Sequence, residues 1–225
     1  MDVAANLENI NSKIKQACEK SNREPEEITV IGVTKYVTIE RTEEAIEAGV
    51  KNLAENRMEG FLEKYSHFKN DATWHFIGTL QSRKVKEVIN QVDYLHSLDR
   101  KSLAKEINKR ADEPVDCFVQ VNVSGEESKH GLAPQDVLPF LHSIEQYEKV
   151  RVVGLMTMAP HIEDEERIRG YFRKLAELRE DVKNLKSDQA PCKYLSMGMS
   201  NDYELAIEEG ATHVRIGSSL VGSQI

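Results

Sequence analysis

Short apolar runs alternate with segments of helical period along the whole chain. Val3, Leu7, Ile10, Ile14 and Ala17 recur at helical spacing and predict an opening amphipathic helix that ends near Ser21-Asn22. The run Ile28-Thr29-Val30-Ile31-Gly32-Val33-Thr34 predicts a first strand over 28–34. Thr38, with Glu40, Glu43 and Glu44 behind it, starts a helix that Gly49 stops, because acids favour the positive end of the helix dipole. The rhythm then repeats. A strand over 51–54 precedes a helix from Asn56 to about Phe68; strands over 74–77 and 93–97 precede helices over 81–90 and 99–110. A strand over 116–123, the longest, leads through Ser124-Gly125-Glu126-Glu127-Ser128 to a helix near Pro134. Strands over 151–155 and 193–196 precede helices over 163–186 and 201–209, and the last strand, 213–216, runs into Gly217.

Strands that alternate with helices in this way pair in parallel through right-handed crossovers. The eight units, with no linker long enough to divide them, predict one α/β domain over 1–225: a single (β/α)8 TIM barrel with an extra N-terminal helix. That opening helix can fill the outer position left by a truncated final helix. An open doubly wound sheet is the alternative architecture.

Composition narrows the function. A hydrophobic content of 40% and a charged content of 30% are those of a soluble globular chain. A net charge of -8, spread over helical segments, disfavours general nucleic-acid binding. No apolar run reaches membrane-spanning length, and the start at Met1-Asp2-Val3 lacks the basic and apolar regions of a signal peptide. The three cysteines, Cys18, Cys117 and Cys192, form no CxxC pair, so a reducing cytoplasm is expected. The seven histidines form no cluster with cysteines or carboxylates, so no metal is expected.

Candidate chemistry begins at Lys35, which closes the first apolar strand. Such a lysine either snorkels to solvent or serves as a Schiff-base amine. Barrel closure places strand 1 beside strand 8, so Lys35 faces Arg215-Ile216-Gly217-Ser218 and the preceding loop Ser196-Met197-Gly198-Met199-Ser200. Loops after strands 7 and 8 are common phosphate sites in barrels. Singly, Ser200 reads as a helix cap, Gly217 as a strand-exit glycine, and Met199 as packing beside the loop. Alternation turns Val214 and Ile216 outward and His213, Arg215 and Gly217 inward, where Arg215 needs an anion, an acceptor or a structural carboxylate. An amine, a phosphate cradle and an inward arginine around one pocket match pyridoxal 5′-phosphate.

The motifs also carry a resemblance. Val33-Thr34-Lys35, Glu55-Asn56-Arg57, Trp74-His75-Phe76-Ile77-Gly78, Leu80-Gln81 and His96-Ser97-Leu98-Asp99 fall in order along the chain. Val121-Asn122-Val123, Lys129-His130-Gly131-Leu132, Gly154-Leu155-Met156-Thr157-Met158, Leu195 through Asp202, and Arg215-Ile216-Gly217 follow. The chain resembles the pyridoxal-phosphate homeostasis protein family, similar in fold to the N-terminal barrel of alanine racemase. The resemblance implies Lys35 as the Schiff-base lysine, Ser200, Gly217 and Ser218 as phosphate contacts, Arg215 at the pyridine nitrogen and Asn56 in the pocket. Ala54, where glycine is usual, and Arg83, where some members have asparagine, depart from the pattern.

Two considerations favour a binder over an enzyme. Arginine at the pyridine nitrogen makes a weaker electron sink than a carboxylate would. Racemisation needs acid/base groups on both faces of the α-carbon, and alanine racemase takes one from a further domain that is not expected here. The expected role is vitamin B6 homeostasis without established catalysis, as a monomer, with PLP-dependent apo-enzymes as possible recipients. The alternative is a small racemase-like enzyme using Lys35 with Tyr36 or Tyr203. A sugar-phosphate barrel enzyme with an aldolase-type lysine is a third reading. The loop through Lys129 and His130 reads as a surface loop or a mobile cover, with Lys129 as a candidate second amine.

Overall fold

The computed structural model describes residues 2–127 and 129–222. Its strands are β1 (Thr29–Val33), β2 (Asn52–Glu55), β3 (Thr73–Phe76), β4 (Tyr94–Leu98), β5 (Val115–Gln120), β6 (Val150–Met156), β7 (Tyr194–Ser196) and β8 (His213–Ile216). All neighbours are parallel, and β1 pairs with both β2 and β8, so the sheet closes into an eight-stranded barrel. The (β/α)8 architecture is as expected, and the open sheet is excluded.

The helices are α1 (Val3–Ser21), α2 (Ile39–Glu47), α3 (Met58–Phe68), α4 (Val85–Val88), α5 (Lys101–Arg110), α6 (Val137–Ile144), α7 (Glu165–Lys183), α8 (Tyr203–Glu208) and α9 (Ser218–Val221). Helix α1 is capped by Asp2, which accepts from the Ala5 amide at 3.1 Å, and it ends on left-handed Asn22. It packs against α8, α9 and α2 through Val3, Ile10, Ile14 and Ala17. Asn6 Nδ2 donates to the Leu220 carbonyl at 2.8 Å, which ties α1 to the short α9 it supplements.

Two predicted elements differ. The expected helix over 81–90 is a 3-10 turn, Ser82–Lys84, followed by the single turn of α4. Its buried residues Val85 and Val88 are β-branched and sustain only that turn against the barrel. Strand β5 stops at Gln120, and β6, at 7 residues, is the longest. Past Gln120 the backbone turns to its own loop: Leu132 N donates to Gln120 O at 2.9 Å and Asn122 N to Leu132 O at 2.8 Å. Val121 and Val123 are buried there, which explains their apolar character without placing them in the strand.

Side-chain size decides which end of the barrel is open. Rings fill its lower half: Tyr94, Tyr194 and His213 each begin a strand, and Phe118 stacks on His96 at 4.3 Å. Tyr194 and His213 meet edge-on at 5.0 Å. At the opposite ends of β1 and β2 the interior holds only Val33 and Ala54, packed with Ile31 and Ile77. Space therefore remains at the C-terminal ends of the strands, the face where barrels carry their sites.

Candidate functional site

Lys35 leaves β1 on a tightly held backbone. Thr34 N donates to Ala54 O at 3.1 Å, and Thr34 Oγ1 donates to Glu55 Oε1 at 2.8 Å. Lys64 of α3 reaches the same cluster and donates to Glu55 Oε1 and to Thr34 O, each at 2.5 Å. Lys64 and Glu55 are 5% and 3% exposed, a buried ion pair directly under the Lys35 peptide. Ala54 departs from glycine without disturbance, because its methyl packs in the small inner cluster.

Beyond Lys35 the chain turns sharply. Tyr36 adopts φ 67, a left-handed conformation that is uncommon for a bulky side chain. Its exposed ring has the Lys35 amine 5.6 Å from its centroid and the Arg57 guanidinium 5.8 Å away. Gly78 must be glycine, since a Cβ there would lie 2.0 Å from Asn56 O. The exits of β2 and β3 are thereby pressed together, which sets Asn56 at the rim.

Arg215 is turned inward and is 3% exposed. Nη1 donates to Ser196 Oγ at 2.6 Å and Nη2 to Thr157 O at 3.0 Å. Burial pulls its pKa down to about 10, still a cation at neutral pH. Behind it, burial lowers the pKa values of His75 and His96 well below the usual histidine range, and the nearby Arg215 charge adds to the effect at His96. Burial and the same arginine bring His213 down to about 4. The rings beneath the site are therefore neutral.

The loops after β7 and β8 lock to each other. Gly198, at φ 98, leaves no room for a Cβ, which would meet Ala206 Cβ at 2.7 Å. Met199 N donates to Asp202 Oδ1 at 2.7 Å, and Ser219 Oγ donates to Ser200 Oγ at 3.1 Å. Asp202 has its pKa raised by burial, against the lowering effect of that amide and of Arg215.

These parts surround one cavity of about 440 Å³. Lys35, Asn56, Met199, Ser200, Arg215, Gly217 and Ser218, all singled out in the sequence, line it together. Gln120, Thr79, Met156 and Asn201 also line it; none is a sequence-level site candidate, because amides, a hydroxyl and a methionine near strand exits read as ordinary loop and packing residues. His130 lines it as well, whereas Lys129 turns aside, its amine 3.1 Å from the Glu126 carboxylate and 3.4 Å from Met158 O. Ser128 of that loop lies outside the described residues. Neither Tyr36 nor Tyr203 lines the cavity, and Tyr203 is buried in the outer core.

Among the described residues no group of three or more His, Cys, Asp or Glu could hold a metal ion, and no helix is long and apolar enough to cross a membrane.

Comparison with known proteins gives a consistent picture. Residues 5–224 match the family described as alanine racemase, N-terminal domain. The pyridoxal phosphate homeostasis protein of Aquifex aeolicus is 42% identical, over 100% of this chain and 99% of the relative. That of Escherichia coli K12 is 34% identical, over 99% and 97%. The structure of PipY from Synechococcus elongatus PCC7942 with PLP bound superposes with a TM-score of 0.85 at 28% identity, covering 98% of this chain and 100% of that one. Alanine racemase of Corynebacterium glutamicum shares the fold, with a TM-score of 0.70 at 12% identity over 97% of this chain and 59% of that one. The chain thus belongs to the pyridoxal phosphate homeostasis protein family, built on the N-terminal barrel of alanine racemase.

Proposed function

We propose that this barrel holds pyridoxal 5′-phosphate at its C-terminal cavity and serves intracellular vitamin B6 homeostasis, keeping the cofactor bound and releasing it to recipient apo-enzymes. The observation that carries the reading is the convergence of Lys35, Arg215 and the Ser200/Gly217-Ser218 edge on one cavity. When bound, the cofactor supplies an aldehyde that a lysine amine captures reversibly.

The donor set fits the group. Hydroxyls of Ser200 and Ser218 and the glycine backbone at Gly217 bind the phosphate, at the loops where barrels hold phosphates. Lys35 is the covalent anchor, and Asn56 and Met199 flank the ring. A guanidinium has five N–H donors. The bonds of Arg215 to Ser196 and Thr157 leave donors free to meet the pyridine nitrogen. Because arginine only donates, it holds that nitrogen unprotonated, which weakens the electron sink.

The weak electron sink that Arg215 makes is what supports storage over turnover. Among the described cavity-lining residues, Lys35 and His130 are the only side chains able to act as bases. The racemase-like alternative, expected to pair Lys35 with Tyr36 or Tyr203, finds neither tyrosine at the cavity and would need His130 in their place, on the shared fold. Monomeric behaviour and a reducing cytoplasm belong to the same reading.

Protein mixed with pyridoxal 5′-phosphate should gain a visible absorbance that borohydride abolishes and that Lys35→Ala never acquires. It should not interconvert L- and D-alanine. Sustained turnover lost in both Lys35→Ala and His130→Ala would establish the racemase reading instead.

A further inference from the structure

A file of polar side chains crosses the barrel interior beneath the cavity. Asn52 Oδ1 lies 2.9 Å from His75 Nε2, His75 Nδ1 lies 2.8 Å from His96 Nε2, and His96 Nδ1 lies 2.8 Å from Ser196 Oγ. The file ends at Arg215 Nη1, 2.6 Å from the same hydroxyl. Its members come from β2, β3, β4, β7 and β8, so barrel closure alone assembles it.

The chemistry of the two ends gives the file a direction. A guanidinium has no acceptor, so Ser196 Oγ must accept from Arg215. Among the described residues the only other partner of that hydroxyl is His96, so its proton goes to His96 Nδ1. His96 then carries its proton on Nε2 and donates it to His75 Nδ1. His75 in turn carries its proton on Nε2 and donates to the Asn52 carbonyl oxygen. Every proton shared along the file then has an acceptor. The opposite direction leaves the Ser196 proton without a partner, a costly state for a buried hydroxyl.

We propose that Ser196, His96, His75 and Asn52 form a one-way hydrogen-bond relay that positions the Arg215 guanidinium, with Arg215 in turn fixing the tautomer of both rings. The relay orients the guanidinium where no carboxylate bonds it: its two hydrogen-bond partners among the described residues are neutral oxygens, and Asp202 acts on it only through space. Around the rings stand Tyr94, Phe118 and His213, the last also neutral at physiological pH. The positive charge therefore stays at the cavity end. Its effect on cofactor rests on the proposed function above, whereas the relay is a property of the protein alone.

The test uses the cofactor-free protein first. Long-range ¹H–¹⁵N NMR of the imidazole nitrogens should show His75 and His96 each protonated at Nε2 and bare at Nδ1. Ser196→Ala should convert both rings to tautomer mixtures, and Ser196→Thr, which keeps the hydroxyl, should restore the single tautomer. A proton on Nδ1 of either ring in the unaltered protein overturns the relay, and so do rings unchanged by Ser196→Ala. The cofactor arm follows: Ser196→Ala should weaken pyridoxal 5′-phosphate binding about tenfold, as expected for one charged hydrogen bond, with Ser196→Thr close to the unaltered protein. Equal affinity in all three proteins overturns the positioning role. If even the unaltered protein takes up no cofactor, the proposed function fails, and the NMR result still decides the relay.

Discussion

The Lys64 amine lies 2.5 Å from the Glu55 carboxylate, and the pair is sealed beneath the strand end that presents Lys35. A second bond from the same amine, to Thr34 O, makes the ion pair part of the backbone path into Lys35. Removing one partner leaves a buried charge without compensation. Lys64→Met should therefore cost about 3 kcal/mol in urea unfolding, while the double variant with Glu55→Leu should recover part of that loss. Additive losses across the cycle would show that the pair acts as two separate contacts.

Acid should weaken the protein through its buried rings. The folded pKa of His213 is lowered from 6.5 to about 4, and those of His75 and His96 are lowered as well. The unfolded chain then binds more protons below pH 6.5, so stability is full above that pH and falls as pH drops from 6.5 towards 4. His213 alone accounts for up to about 3 kcal/mol across this window. Denaturant titrations at pH 7 and pH 4.5 should show the loss, and His213→Gln should flatten its slope.

The contact between Gly78 and Asn56 predicts a local steric effect. A Cβ at Gly78 would fall 2.0 Å from Asn56 O, so Gly78→Ala must push the β2 exit away. The substitution should destabilise by about 1–3 kcal/mol and lower cofactor affinity, since Asn56 lines the cavity. Unaltered binding by equilibrium titration would remove Asn56 from the pocket.

Much of this architecture was legible because local rules and the global fold agree. The strand–helix rhythm marked the strands, and alternation alone turned Arg215 inward between Val214 and Ile216, as the buried guanidinium at Ser196 bears out. Lys35 stands out as a charge at the end of an apolar run. The relay was not legible in the same way. His96 and Ser196 are 100 positions apart, and their meeting depends on strand register around a closed barrel. Lys64 was equally hidden, because a charged residue on a helix reads as solvent-facing until its buried partner is known. The apolar pattern runs past the end of β5 because Val121 and Val123 bury their side chains in a returning loop.

The cavity also predicts which bases matter. His130 lines it and Lys129 does not, so His130→Ala should change the rate of cofactor release while Lys129→Ala leaves equilibrium affinity unchanged. Stopped-flow release into excess apo-enzyme separates the two residues, and a loss of affinity in Lys129→Ala would bring that amine into the site.

The most direct test of the account is the site of covalent attachment. Protein incubated with pyridoxal 5′-phosphate, reduced with borohydride and digested should carry the phosphopyridoxyl mass on the peptide containing Lys35, with none on Lys64 or Lys129. A label distributed over surface lysines, or retained in full by Lys35→Ala, would contradict the assignment of this cavity as the cofactor site.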